Sequence, residues 1–331
     1  MKLATLKDSS RDGQLMVVSR DLLTAHLADG IAPNLQTALD DWGFIAPQLE
    51  ALSLELNQGR ASAKRSFPFD PERCMAPLPR AYQWADASAY VNHVELVRKA
   101  RGADMPDSFY TDPLMYQGAG DDFIGPLDDI ALGSEAWGID FEAEVAVVLG
   151  DVPMQTKAAD AGETIRLIGI LNDVSLRNLI PAELAKGFGF FHGKATTSFA
   201  PVMVTPDELG DAWADGKLSQ RLTVHWNDKW FGHPHAGTDM VFNFHTLIAH
   251  AAKTRNLRAG TVLGSGTVSN KDATQGYCCI AEIRALEMIA AGLGGKPTTP
   301  FMKFGDRVRI EMKDANNQSI FGAINQKVVK I

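Results

Sequence analysis

Apolar positions along the chain carry two periods. Near the start, Leu15, Met16, Val17 and Val18 form a run of strand length, and Leu35, Ala38, Leu39, Trp42, Ile45 and Leu49 then recur at three- and four-residue spacing. The second pattern predicts a helix over residues 34–56, kinked or divided at Pro47, whose ring removes one backbone donor. Residues 60–79 hold four prolines and few periodic apolar positions, the mark of a linker. Two domains are therefore expected, a small α+β one over residues 1–76 and a larger one over 77–331. In the larger, strand-like runs at 144–149, 201–204, 222–226, 261–263, 278–286, 308–311 and 326–331 lie between glycine, proline and aspartate turns. Helical periodicity is confined to 91–101, 160–166 and 242–254. Strands and helices do not alternate regularly, which predicts a β-rich α+β fold rather than a doubly wound sheet.

With 45% hydrophobic and 22% charged residues among 331, the chain has an ordinary globular balance and is long enough to bury a substantial core. Lys and Arg number 32 against 40 Asp and Glu, and the formal charge of -8 argues against nucleic acid or anionic membrane as a partner. Cys74, Cys278 and Cys279 are too few for a disulfide framework, and no stretch reaches the roughly 18 apolar residues of a membrane span. A soluble cytoplasmic protein is expected. No G-x-G-x-x-G opening, P-loop or G-x-S-x-G elbow occurs, which disfavours dinucleotide, nucleoside triphosphate and serine-hydrolase chemistry.

Residues 140–149 hold the most informative chemistry. On a strand, Asp140, Glu142 and Glu144 share one face, while Phe141, Ala143, Val145, Val147 and Leu149 share the other. Ala146 and Val148 turn the acidic face apolar further on, so the strand is expected to pass from a polar cleft into a core covered on both sides. Carboxylates placed this way repel one another and lose hydration. They then take up protons or share a hard cation such as Mg²⁺ or Ca²⁺; the alternative is an edge strand whose acids only add solubility. The apolar run 167–171 ends in Asn172 and Asp173 ahead of Arg177, so Asp173 is either a further ligand or an N-cap paired with Arg177 at i+4.

His233, His235 and Asp239 form a rival set better suited to Zn²⁺, within a stretch that reads as a hairpin loop. His245 and His250 fall on the surface or core flank of the 242–254 helix, and the two adjacent cysteines read as buried filling.

Taken in chain order, Asp86-Ala-Ser-Ala-Tyr-Val-Asn-His93, Asp140-Phe-Glu142-Ala-Glu144, Asn172-Asp173-Val-Ser-Leu-Arg177, Gly193-Lys194 and Gly264-Ser-Gly266-Thr267 resemble the fumarylacetoacetate hydrolase family. The resemblance runs from about Pro79 to the C-terminus, and the preceding segment is similar to the small N-terminal domain of two-domain members. It implies a mixed β-roll or β-sandwich catalytic domain, usually paired as a homodimer, with Mg²⁺, Ca²⁺ or Mn²⁺ held by Asp86, Glu142, Glu144 and Asp173. It makes His93 the general base, Glu282 its carboxylate partner, and Lys194 and Arg177 oxyanion donors. Tyr116 and Thr267 stand at the family's substrate-binding places, the plainer readings being a half-buried core aromatic and an ordinary glycine-rich turn. Ser88 and Arg101 are counted with them as substrate contacts.

The implied reaction is hydrolysis of a carbon–carbon bond in a 1,3-diketo acid, fumarylacetoacetate to fumarate and acetoacetate as in tyrosine breakdown. Acylpyruvate hydrolysis, and decarboxylation or hydration of a 2-oxo acid, are the alternatives within the family. One position departs. Three residues after the arginine, the member acting on fumarylacetoacetate carries a glutamine that helps bind the oxyanion, and Ile180 stands here, with Glu183 as a candidate substitute acting through a water.

Overall fold

The computed structural model describes residues 1–292 and 295–331. Its main strands are β1 (Lys2–Leu6), β2 (Gln14–Val18), β3 (Thr24–Leu27), β4 (Ser66–Pro68), β5 (Trp84–Ala87), β6 (Met115–Gly118), β7 (Ile130–Leu132) and β8 (Ala143–Leu149). They continue as β9 (Ile165–Asn172), β10 (Ser198–Phe199), β11 (Met203–Val204), β12 (Leu222–Trp226), β13 (Lys229–Gly232), β14 (Val262–Gly264), β15 (Arg307–Lys313) and β16 (Ser319–Lys330). Eleven of them form one sheet in the order β4-β3-β2-β1-β11-β9-β8-β14-β5-β6, with β10 beside β9; five form a second, β13-β12-β15-β16-β7. The helices are α1 (Leu35–Asp40), α2 (Trp42–Asn57), α3 (Val91–Ala100), α4 (Ala158–Ala161), α5 (Ile180–Leu184), α6 (Phe244–Ala251) and α7 (Ile280–Ala291). The β-rich α+β architecture expected from the sequence is the one the chain adopts.

β8 is buried at every position. Val145, Val147 and Leu149 enter one apolar cluster and Ala146 and Val148 a second, so this strand is covered on both faces as its composition requires. The second cluster also takes the stripe of α1 and α2, where Leu35, Ala38, Leu39, Ile45 and Leu49 pack with Leu3, Leu15 and Val17 of β1 and β2. Each such side chain contributes roughly 1.5–3 kcal/mol relative to exposure.

Three elements differ from the sequence reading. The 34–56 helix divides at Asp41 (φ −130°, ψ 46°), while Pro47 lies inside α2. Gly43, whose carbonyl loses its partner to Pro47, is exposed, so water can serve it. The helix expected over 160–166 ends in a 3₁₀ turn at Gly162–Thr164, because Ile165 opens β9 opposite Leu149 of β8. Of the strand expected over 278–286, only Cys279 pairs, in an isolated bridge with Glu142, and residues 280–286 are the start of α7. The segment Ala281, Glu282, Arg284, Ala285, Leu286, Glu287 and Met288 is made largely of strong helix formers, and its cap is distant in sequence. Asp140 accepts from the Ile280 N–H at 2.7 Å and the Ala281 N–H at 3.0 Å. Among the described residues, no helix is long and apolar enough to cross a membrane.

Candidate metal and catalytic site

Strand direction brings the acids together. β8 runs antiparallel to both β9 and β14, and β14 runs parallel to β5. The start of β8 therefore lies beside the ends of the other three, with Glu144 opposite Leu171 and Asp86 opposite Gly264. Asp86, Glu142, Glu144 and Asp173, all buried, place carboxylate oxygens within 4.8 Å of one another. Gly266 supports Asp86: its N–H donates to Asp86 Oδ1 at 3.0 Å, from a backbone at φ +73° where a side chain would meet the Ala87 carbonyl.

Two cations face these acids. Lys194 Nζ donates to Glu142 Oε2 at 2.5 Å and to Asp173 Oδ2 at 2.7 Å. Arg177 donates to Asp140 Oδ2 at 2.8 Å and to Glu142 Oε1 at 2.6 Å, and not to Asp173 as an i+4 pair would. Tyr116 Oη donates to Asp173, and Thr197 Oγ1 does so at 2.9 Å. Glu144 stands apart, for among the described residues no N–H or hydroxyl donates to either of its buried carboxylate oxygens.

Burial, reinforced by Asp86 and Asp173, holds the Glu144 carboxyl well above the ordinary range. Burial and Asp173 push Asp86 up to about 8. Burial acts the same way on Glu142, but Arg177 and Lys194 outweigh it and hold that carboxyl below its usual value. An all-oxygen donor set with two groups forced towards the neutral form, one of them without an N–H or hydroxyl donor among the described residues, fits a hard divalent cation.

Beside this cluster, α3 and α7 pack together and His93 Nδ1 lies 2.9 Å from Glu282 Oε1. The histidine side chain is 16% exposed and the glutamate 2%, so the pair is buried on the glutamate side and open on the other. Asp140 joins the two halves, capping α7, which carries Glu282, while pairing with Arg177, which also grips Glu142. Nothing local in the sequence marks that cap, since residues 278–286 read as a strand.

Thr267 is buried, and among the described residues its Oγ1 has no hydrogen-bond partner. Ser88, half-buried, gives its backbone N–H to the Leu114 carbonyl at 2.9 Å, and Arg101 is exposed at the end of α3. Among the described residues no hydrogen bond joins either to the acids. Glu183 is not free to replace a glutamine: it accepts the backbone N–H groups of Phe191 at 3.1 Å, His192 at 2.6 Å and Gly193 at 2.9 Å. Ile180 is buried. The rival histidines separate, His233 towards Trp230 and His235 towards Thr238, while His250 faces Asp112 and His245 packs on Gly162 and Gly216. Cys278 and Cys279 are both buried.

Residues 83–329 match the family model for the fumarylacetoacetate (FAA) hydrolase C-terminal region, and residues 1–80 match fumarylacetoacetase N-terminal domain 2. The chain belongs to the fumarylacetoacetate hydrolase family. Its relatives include a 2,4-didehydro-3-deoxy-L-rhamnonate hydrolase of Sphingomonas sp. (strain SKA58), 26% identical over 63% of this chain and 64% of its own length. A mitochondrial oxaloacetate tautomerase of Rattus norvegicus is 27% identical over 66% of this chain and 59% of its own. The matches thus span about three fifths of these curated relatives. Among solved structures, the maleylpyruvate hydrolase of Sphingobium sp. SYK-6 in complex with manganese (II) ion and pyruvate covers 100% of this chain and 99% of its own, with a TM-score of 0.65 and 17% identity. The fumarylacetoacetate hydrolase of Exiguobacterium antarcticum covers 100% of both chains at a TM-score of 0.67 and 16% identity. These two likenesses establish the shared fold.

In this family member, Gly264 gives a direct test of Asp86. A Cβ at residue 264 would run into the Trp84 ring and stand 2.5 Å from Asp86 Oδ1, so Gly264→Ala must displace the indole and the carboxylate together, at an overpacking cost of about 1–3 kcal/mol. Mg²⁺ affinity by calorimetry is expected to fall at least about tenfold with the far-ultraviolet circular dichroism retained, an effect in the range of losing one supporting contact to a metal ligand. Unchanged affinity would remove Asp86 from the ligand set.

Proposed function

We propose that the chain is a divalent-cation-dependent hydrolase of a carbon–carbon bond in a 1,3-diketo acid. The observation that carries this reading is the pairing of a His93–Glu282 dyad with a four-carboxylate cradle, coupled through Asp140 and Arg177. Glu282 accepts the Nδ1 proton of His93 and so leaves a lone pair on Nε2. Nε2 takes a proton from water, whose oxygen attacks a carbonyl carbon of the substrate. Lys194 and Arg177 donate to the oxyanion that forms. When the carbon–carbon bond breaks, the electron pair leaves as an enolate, and the proton held on Nε2 passes to its carbon. Asp86, Glu142, Glu144 and Asp173 would hold a divalent ion, whose positive charge would lower the enolate's energy. Tyr116 and Thr267, one donating to Asp173 and the other with a hydroxyl unpartnered among the described residues, orient the substrate. Pairing of two copies belongs to the same proposal and is checked by light scattering at twice the chain mass.

Fumarylacetoacetate is the first substrate of this class. A specific observation favours a second, an acylpyruvate such as fumarylpyruvate: Ile180 offers no donor to the oxyanion, and Glu183 is committed to its own loop. Steady-state assays with fumarylacetoacetate, fumarylpyruvate and oxaloacetate, each with Mg²⁺ and then with chelator, separate hydrolysis from decarboxylation or tautomerisation. Cleavage of neither diketo acid would sink the proposal. On the substrate that turns over, His93→Ala is expected to lower kcat by about 10²- to 10⁴-fold with Mg²⁺ affinity unchanged. A kcat near that of the parent would exclude His93 as the base.

A further inference from the structure

We infer that His93, Cys279 and Glu282 form a second cation site, selective for thiophilic ions such as Zn²⁺, whose occupation switches off the dyad. Nδ1 of His93, Sγ of Cys279 and a carboxylate oxygen of Glu282 lie within 4.8 Å of one another. Bond lengths of about 2.0–2.1 Å to nitrogen, 2.3 Å to sulfur and 2.0–2.2 Å to oxygen give a tetrahedral zinc site edges of about 3.4–3.6 Å. The observed separations bracket these, 2.9 Å for Nδ1 to Oε1 and 4.0 Å for Nδ1 to Sγ. Small side-chain adjustments, with Sγ and the Glu282 oxygen already within 4.8 Å, therefore complete three ligands, leaving the fourth place to water. The donors sort the ions: nitrogen and sulfur favour Zn²⁺, whereas the all-oxygen cradle favours Mg²⁺.

Burial, with Glu282 and Asp140, holds the Cys279 thiol well above its usual value, so the thiolate forms only as the cation arrives, with the helix end working in its favour. Cys279 is the N-cap residue of the twelve-residue α7, where the helix presents the positive end of its dipole. With Zn²⁺ the thiol proton leaves to solvent, and Cys279 and Glu282 together balance the ion's charge.

The consequence for turnover is a tautomer switch. Zinc takes the Nδ1 lone pair, so the imidazole proton moves to Nε2, which then has no lone pair with which to accept a proton from water. The site stands on its own geometry; only this inhibition rests on His93 being the base.

Co²⁺ serves as the spectroscopic probe, added to the full chain with the carboxylate cradle saturated with Mg²⁺. Expected is one equivalent of Co²⁺ giving a thiolate-to-cobalt charge-transfer band in the near ultraviolet, displaced by Zn²⁺ and insensitive to further Mg²⁺. Cys279→Ser and Cys279→Ala are both expected to abolish the band and weaken Zn²⁺ binding at least tenfold, with Cys278→Ser retaining both. Absence of the band in the parent chain, or its persistence in the Cys279 variants, overturns the site. If the band appears as expected but Zn²⁺ leaves kcat untouched, the site stands and the assignment of His93 as base fails instead.

Discussion

Chelated protein is expected to lose thermal stability as pH climbs from about 4 to about 8, while protein saturated with Mg²⁺ holds or gains it over the same window. The cause is Asp86, whose carboxyl is pushed up to about 8 by burial and by Asp173, against about 3.9 in an unfolded chain. A group whose folded value is raised contributes stability that is fully present below its unfolded value and is lost as pH rises through its folded value. For Asp86 that contribution is intact below about pH 4 and gone above about pH 8, a change of at most on the order of 5 kcal/mol. Glu144, raised in the same direction by burial and Asp86, steepens the slope.

Glu142 moves the other way. Its folded value is depressed, so its contribution is present above its unfolded value of about 4.3 and falls away only below the window. A bound dication reverses the sign for Asp86 and Glu144 because its ligands must be ionised, and Mg²⁺ affinity should therefore increase with pH. Asp86→Asn removes the titrating group; it is expected to flatten the chelated profile, raise stability near pH 8 and abolish the Mg²⁺ response. Melting curves at several pH values with chelator and with Mg²⁺ check this. A chelated parent more stable at pH 8 than at pH 5 would contradict the burial argument.

What the sequence reveals here depends on the reach of each interaction. β8 and α3 are legible because their apolar periods are local, and the covered fate of β8 follows from Ala146 and Val148 alone. The meeting of Asp86 with Glu142, Glu144 and Asp173 is not local: it follows from strand order and register, which no period encodes, and only the ordered motifs suggested it. Arg177 illustrates the difference. A helical turn after Asp173 would pair the two at i+4, but Ser175 and Leu176 form a short strand opposite Asp140 and Ile139, and this register sends the guanidinium to Asp140 and Glu142. The start of α7 was illegible for the same reason, since its cap lies in Asp140. Pro47 erred in the opposite sense: its local penalty is real, but the orphaned Gly43 carbonyl faces water. Glu183 is a polar group whose partners are three consecutive backbone N–H groups, and side-chain identity carries no trace of that.

Lys194→Met is expected to destabilise the chelated protein by about 3–5 kcal/mol, the loss characteristic of stripping one partner from a buried ion pair. Its side chain is 8% exposed, and those of Glu142 and Asp173 are 5% and 1%. Burial works against its charge, but Asp173 and Glu142 outweigh that and keep the ammonium firmly protonated. Methionine fills the volume without the charge, leaving Arg177 as the hydrogen-bonded cation of Glu142, and Asp173 with the Tyr116 and Thr197 hydroxyls among the described residues. Mg²⁺ should recover most of the loss, because a dication on the cradle neutralises the same oxygens and stabilises by mass action. The Mg²⁺-induced rise in melting temperature should thus be larger in Lys194→Met than in the parent. Turnover does not recover with it: without the ammonium to meet the oxyanion, kcat is expected to fall by about 10²- to 10³-fold at saturating Mg²⁺. The two readouts divide the residue's roles. A variant as stable in chelator as the parent would mean that the Lys194 contacts with Glu142 and Asp173 do not hold the folded site together, and an undiminished kcat would take Lys194 out of the chemistry.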